Sequence, residues 1–214
     1  MDNIVKLEEL GDDCVSKDNH GEAVIHYTHA IKLKPREYRL VEKRCTSFLQ
    51  VGQFYFAYQD AKDLILMAPN NPSGFIKRAT IEFETGNYRL ALSNYRKAYH
   101  LTRDSSLSEL IHNCKDKAMK QESSDRHLPW VGAALGLVIG MALVVADYMI
   151  WMNKGFLKNP MIKVALIISN SYLFYSTLKW YRGYIGSCRR SLLQPPPLLF
   201  PEDGDDDLFK SKDD

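Results

Sequence analysis

Few residues in this 214-residue chain have both the type and the spacing for chemistry. Glu22, His26 and His29 fall on adjacent turns if their segment is helical, a spacing at which carboxylate and imidazole could ligate zinc. Tyr27 and Ala30 take the apolar stripe of the same segment, which puts both histidines on its flanks as surface residues, and no metal is expected. Cys14, Cys45, Cys114 and Cys188 stand far apart, with no CxxC pair and no histidine at zinc-finger spacing. A disulfide framework is therefore not expected, and Cys14 and Cys45 read as small packing residues. The chain has no Ser/His/Asp set, P-loop or dinucleotide fingerprint, so neither an enzyme nor a cofactor is implied. Asp147 and Lys163 remain, each the one formal charge in an apolar run. They read either as a salt bridge inside a membrane or as parts of a proton or ion relay.

The elements that carry those two charges are two spans. Leu128–Met152 is long and apolar enough for a transmembrane helix, with Trp130 and Trp151 near its ends and Pro129 at a first-turn position. Turn signals follow through Asn153–Pro160, and residues 161–181 supply a second span, apolar over Met161–Leu178 and closed by Trp180 and Tyr181. Gly132, Gly136 and Gly140 form a small-residue ridge on the first span that lets a second backbone approach closely. Its partner is either the second span, through Ser169, Asn170 and Ser171, or a second copy of the chain in a homodimer. Basic residues before and after the hairpin outnumber those in its loop, which places both termini in the cytosol. The N-terminus has no continuous apolar core of a secretory signal, which agrees with that placement. A net charge of +2, from 28 basic and 26 acidic residues, gives no support to nucleic-acid binding.

Residues 1–122 repeat with a period of 34. Gly11, Cys45 and Ala79 keep that spacing, as do Leu7, Val41 and Phe75, then Ala23, Ala57 and Ala91, then Ala30, Leu64 and Ala98. Pro35 and Pro69 close the first two units, so the repeats run over about 4–37, 38–71 and 72–105. Each unit predicts two amphipathic helices. Residues 106–122 predict a capping helix, opened by a capping box at Ser106–Glu109 and striped by Leu107, Leu110, Ile111 and Cys114.

Leu10, Gly11, Ala23, Tyr27, Ala30 and Pro35 stand at signature positions of the tetratricopeptide repeat (TPR), and the chain from Ile4 to about Arg103 resembles that family. In the third unit Glu82 replaces an apolar residue and Arg103 the closing proline, departures expected to loosen the last repeat. The resemblance implies an all-α solenoid whose concave face receives an extended protein or peptide segment. Three repeats plus a cap are similar to the co-chaperone domains that hold acidic chaperone tails in a clamp of two Lys, two Asn and one Arg. In that register this chain has Glu8, Asp12, Lys43, Ser73 and Lys77, with Arg78 beside them. Two carboxylates there would repel a ligand carboxylate by about 1 kcal/mol each, so the usual tail is not the expected ligand, although Lys43, Lys77 and Arg78 could attract an acidic segment.

Residues 191–214 change to prolines and then acids and are expected to be disordered. Lys210 and Lys212, fifth and third from the end, resemble a dilysine retrieval signal of the endoplasmic reticulum. The expected protein is thus an all-α, membrane-anchored TPR adaptor facing the cytosol, in the endoplasmic reticulum or alternatively the mitochondrial outer membrane. A subunit of a membrane transporter or channel complex, with the repeats as an assembly handle, is the other reading.

Overall fold

Small residues at the 34-residue spacing decide how closely the helices approach. In the computed structural model, which describes residues 2–151 and 159–196, Ala23, Ala57, Ala91, Ala30, Leu64 and Ala98 are all fully buried. The described residues form α1 (Asp2–Ser16), α2 (His20–Leu33), α3 (Tyr38–Gln50), α4 (Phe54–Met67), α5 (Pro72–Glu84), α6 (Tyr88–Thr102), α7 (Ser105–Trp151) and α8 (Pro160–Ser191). The fold is all-α: three stacked helix pairs, α7 laid against α6, and α8 returning antiparallel along α7. Gly11 lets α1 and α2 touch, since a Cβ there would lie 2.5 Å from the Tyr27 ring.

One apolar cluster fills each repeat, and the third runs on into α7 through Leu107 and Cys114. Truncating a buried leucine such as Leu64 to alanine would cost about 2–5 kcal/mol in such a core. The turn inside each pair also repeats at 34: Asp18, Gly52 and Gly86 all have positive φ, at 59°, 77° and 74°. Asparagines start several helices. Asn71 Oδ1 accepts from Ser73 N at 3.0 Å ahead of Pro72, and Asn159 Oδ1 accepts from Met161 N at 3.0 Å ahead of Pro160.

Four expectations change. The cap and the first span are one 47-residue helix, because nothing in residues 121–128 stops a helix and Pro129 removes only one donor. Its start is capped by Asp104, which accepts from Ser106 N at 3.0 Å, instead of by a Ser106 capping box. Arg103, expected to loosen the repeat by standing in place of a closing proline, instead ends α6 itself in the left-handed conformation, φ 56°. Glu82 does not loosen the third repeat: it is fully buried and accepts from Asn94 Nδ2 at 2.7 Å and Arg78 Nε at 3.1 Å. Burial pushes its carboxyl above the ordinary glutamate range, against the pull of Asn94 and Arg78.

The second span also extends further than 161–181. α8 continues to Ser191, and the chain beyond it reaches Leu193, which packs against the α3–α5 core. Residues 152–158 and 197–214, which include most of the hairpin turn, Lys210 and Lys212, lie outside the described residues.

Candidate peptide-binding groove

Side chains bridge α1 to α3 and α3 to α5, so the first helices of the three repeats share one face. The structure brings Glu8, Asp12 and Lys43 together on it. Lys43 Nζ donates to Glu8 Oε1 at 2.7 Å and to both Asp12 oxygens at 2.6 and 2.8 Å. Arg39 Nη2 adds a bond to Glu8 Oε1 at 2.5 Å, and Tyr27 Oη donates to Asp12 Oδ1 at 2.7 Å. The Lys43 hydrogen bond holds Glu8 below the usual glutamate range. Burial alone would raise Asp12, but its bonds from Lys43 and Tyr27 win and lower it. Desolvation likewise opposes the charge on Lys43, and the two carboxylates overcome it and raise its pKa. Two acids and two bases thus neutralise each other at the first-repeat end, which leaves no spare donor of Lys43 for a ligand carboxylate.

The other end differs. Ser73 Oγ donates to Glu42 Oε1. Lys77 is half-buried on α5 and, among the described residues, has no acidic partner within salt-bridge distance. Arg78, expected as a groove cation, turns inward instead. Its Nε serves Glu82, its Nη2 donates to Tyr58 Oη at 2.8 Å, and its guanidinium lies 5.1 Å from the Tyr58 ring centre. Arg44 is similarly committed to Asp60, through bonds of 2.9 and 2.6 Å. Burial raises the Asp60 carboxyl, and Arg44 opposes that shift. Of Lys43, Lys77 and Arg78, Lys77 is thus the one without an acidic partner among the described residues.

The metal spacing noticed in the sequence is rearranged. Glu22 and His26 meet Cys14 of α1, with ligand atoms all within 4.8 Å of one another, and His29 is not among them. Burial, then the charges of Glu22 and Asp13, push the Cys14 thiol up, which works against the thiolate a metal needs. Cys45 is inert for the same first reason, with burial raising its thiol to about 12.

Between α7 and α8 the glycine ridge meets α8 of the same chain. A Cβ at Gly136 would lie 2.8 Å from Asn170 O, and one at Gly140 would lie 3.0 Å from Ile167 Cα. At Gly132 it would meet Leu178 at 2.5 Å. Asn170 Nδ2 donates to Gly136 O at 2.7 Å and Ser171 Oγ to Ala133 O at 2.9 Å, so these side chains join the two helices. Lys163 Nζ stands 3.6 Å from Asp147 Oδ2, an ion pair slightly long for a hydrogen bond.

The helical repeat defines the class: residues of the first half have the fold of TPR domains. The first TPR of Spaghetti (RPAP3) bound to the HSP90 peptide SRMEEVD aligns with a TM-score of 0.52 at 15% identity, over 55% of this chain and 94% of that one. The TPR2B domain of yeast Sti1 in its pHsp70 complex aligns at 0.50 and 24% identity, over 56% and 99%. In sequence the chain is similar to Hsp70-Hsp90 organizing protein 2 of Arabidopsis thaliana, 28% identical over 107 residues, which are 50% of this chain and 18% of that protein. The chain spans well under half the length of the curated relatives it matches. No family model matches it.

Proposed function

We propose that this chain is a membrane-anchored TPR adaptor that holds an extended segment of a protein partner on its α1–α3–α5 face. The membrane half of that proposal is carried by α8. It is apolar over Met161–Leu178, yet no residue of it is buried, and Met161, Ile168 and Tyr172 are 75%, 63% and 71% exposed. In water such a surface costs about 25 cal/mol per Å² of apolar area, a cost that lipid removes. Both α7 and α8 are long and apolar enough to cross a membrane. The glycine ridge then serves as the seam of the hairpin instead of a homodimer seam, and Asp147 with Lys163 serves as a structural pair instead of a relay. An even number of spans keeps the repeats and residues 191–214 on one side, the cytosolic side by the charge bias.

The groove supports a co-chaperone-like or targeting-receptor-like role with altered specificity. Relatives of this fold take chaperone peptides, as the SRMEEVD complex does. Here the first-repeat end is self-neutralised, so the favoured segment places an acidic side chain at Lys77 and polar or basic ones near Glu8 and Asp12. Proximity labelling with the full-length protein tests this against a Glu8→Lys/Asp12→Asn variant. The variant should exchange the parent's soluble partners for proteins with acidic tails, and an unchanged partner set would sink the groove proposal. Replacing Lys210 and Lys212 by serine tests the proposed endoplasmic reticulum address: export from that compartment is expected, and no redistribution contradicts it.

A further inference from the structure

The return helix does more than bring the chain back. Its last turns run beside the third repeat and form, with α6 and α7, two adjoining cavities of about 430 and 280 Å³. Both are lined by Tyr88, Gln121 and Arg189. Cations converge there from three helices: Arg89 on α6, Lys117 and Lys120 on α7, and Arg182, Arg189 and Arg190 on α8. The nearby acid, Asp125, is already taken by Arg182. Lys117 lies over the Phe83 ring at 4.1 Å. Arg89, Lys120, Arg189 and Arg190 have no acidic partner within salt-bridge distance among the described residues.

Membrane topology needs positive charge on the cytosolic side but does not need it held in place. Here it is held. Asn87 Nδ2 donates to Arg189 O at 3.3 Å, and the Gln121 amide, oriented to satisfy both neighbours, accepts from Arg189 Nη1 and donates to Gly86 O at 3.3 Å. Gly86 suits the turn through its φ of 74°, and the Arg189 side chain packs over it, 3.2 Å from where a Cβ would lie. The repeat domain therefore fixes a guanidinium in the wall of an open, cation-lined cavity.

Height above the membrane selects the ligand. At about 1.5 Å per residue, Arg182 stands about 6 Å and Arg189 about 16 Å beyond Leu178, and on α7, where Gly132 faces Leu178, Asp125 meets Arg182 and Gln121 meets Arg189. Each headgroup layer is only about 5–8 Å deep. The Arg189 end of the cavities thus lies beyond the phosphodiester layer, at a height that a headgroup projecting from the surface reaches. Arginine forks and a lysine suit phosphomonoester oxygens, each group carrying a charge of about −1.5 to −2.

We infer that the two adjoining cavities, which share Arg189 and add Arg190 in one and Lys120 in the other, bind the phosphomonoesters of a polyphosphorylated phospholipid headgroup, which ties the repeat domain to the lipid composition of its membrane. This rests on the hairpin being in a membrane. The test uses full-length protein in detergent micelles, titrated calorimetrically with short-chain phosphatidylinositol bisphosphate, short-chain phosphatidylserine, inositol trisphosphate and an acidic peptide. The bisphosphate should bind at least about tenfold more tightly than phosphatidylserine, as expected for extra charge-assisted bonds. Inositol trisphosphate should compete with it, since recognition lies in the headgroup phosphates whatever their source. Lys120→Gln/Arg190→Gln should weaken both by about tenfold or more. Both side chains are exposed, and the Arg190 bond to Gly186 O of its own helix is weak at 3.3 Å, so the variant should keep its helical circular dichroism. Equal affinity for the two lipids, unchanged binding in the variant, or tighter binding of the acidic peptide would overturn the inference. Alkaline extraction from native membranes tests the hairpin separately, and its failure leaves the inositol trisphosphate titration to decide the site.

Discussion

Replacing Lys43 with methionine removes the one base that holds Glu8 and Asp12 together while keeping the length of its stem. Glu8 is 15% exposed and Lys43 32%, so their contact is only partly screened; Asp12, at 49%, is screened more. Discounted for that exposure, the lost charge-assisted bonds amount to about 1 kcal/mol. Glu8 and Asp12 would also be left facing each other, which adds about another 1 kcal/mol of repulsion, eased by Arg39. The expected loss of about 2 kcal/mol corresponds to a fall in Tm of roughly 5–10 °C for the repeat domain, read by far-ultraviolet circular dichroism of the full chain. The sign with pH follows from the lowered carboxylates. Their folded pKa values lie below the ordinary 4.5 and 3.8, so their stabilisation is present above those values and is lost as pH falls through the folded ones. The parent and Lys43→Met should therefore converge in acid and differ most near neutrality. In a Glu8→Gln background the Lys43 substitution should cost less than half as much. A variant that melts with the parent at neutral pH, or costs that add without coupling, would refute the self-neutralised groove.

Other outcomes follow from the same contacts. Glu82→Leu should destabilise by about 3–5 kcal/mol, because Arg78 and Asn94 lose a buried acceptor, whereas Glu82→Gln should cost much less; urea unfolding compares them. Gly136→Ala should disturb the α7–α8 seam, where its Cβ would lie 2.8 Å from backbone, while Gly183→Ala meets nothing within 4 Å and should be silent in a protease-resistance assay. Asp147→Leu and Lys163→Leu should each lower the stability of the hairpin in detergent, and the double variant should recover most of the loss, as expected for a structural pair. A double variant that folds normally but leaves a membrane-transport function inactive would favour the relay instead.

The repeat was legible because small residues at a fixed spacing have one physical use, letting helices touch; Ala23, Ala57 and Ala91 carry that signal without help from context. Gly132, Gly136 and Gly140 carry a signal of the same kind, and in the structure Asn170 and Ser171 bond to Gly136 O and Ala133 O beside them. Glu82 was misread because a sequence shows that an acid sits at a core position but not that Asn94 and Arg78 arrive to satisfy it. Arg78 was misplaced by the converse error: periodicity puts it beside the groove, and only the structure shows Tyr58 and Glu82 drawing it inward. The α8 extension and its cation-lined cavity join residues about a hundred positions apart, such as Asn87 and Arg189, and no local pattern announces such a contact. The positive turns at Asp18, Gly52 and Gly86 could have been found, since they too recur at 34.

The central claim is that the α1–α3–α5 face holds a protein partner while α7 and α8 hold the chain in a membrane. Photo-crosslinking in intact cells tests it most directly, with a photoreactive residue in place of Ser73 on that face or of Lys62, exposed on α4. The prediction is protein adducts from position 73, recovered in the membrane fraction and exchanged for a different set of proteins in the Glu8→Lys/Asp12→Asn background. Adducts of equal yield from position 62, or adducts recovered with the soluble proteins, would contradict it.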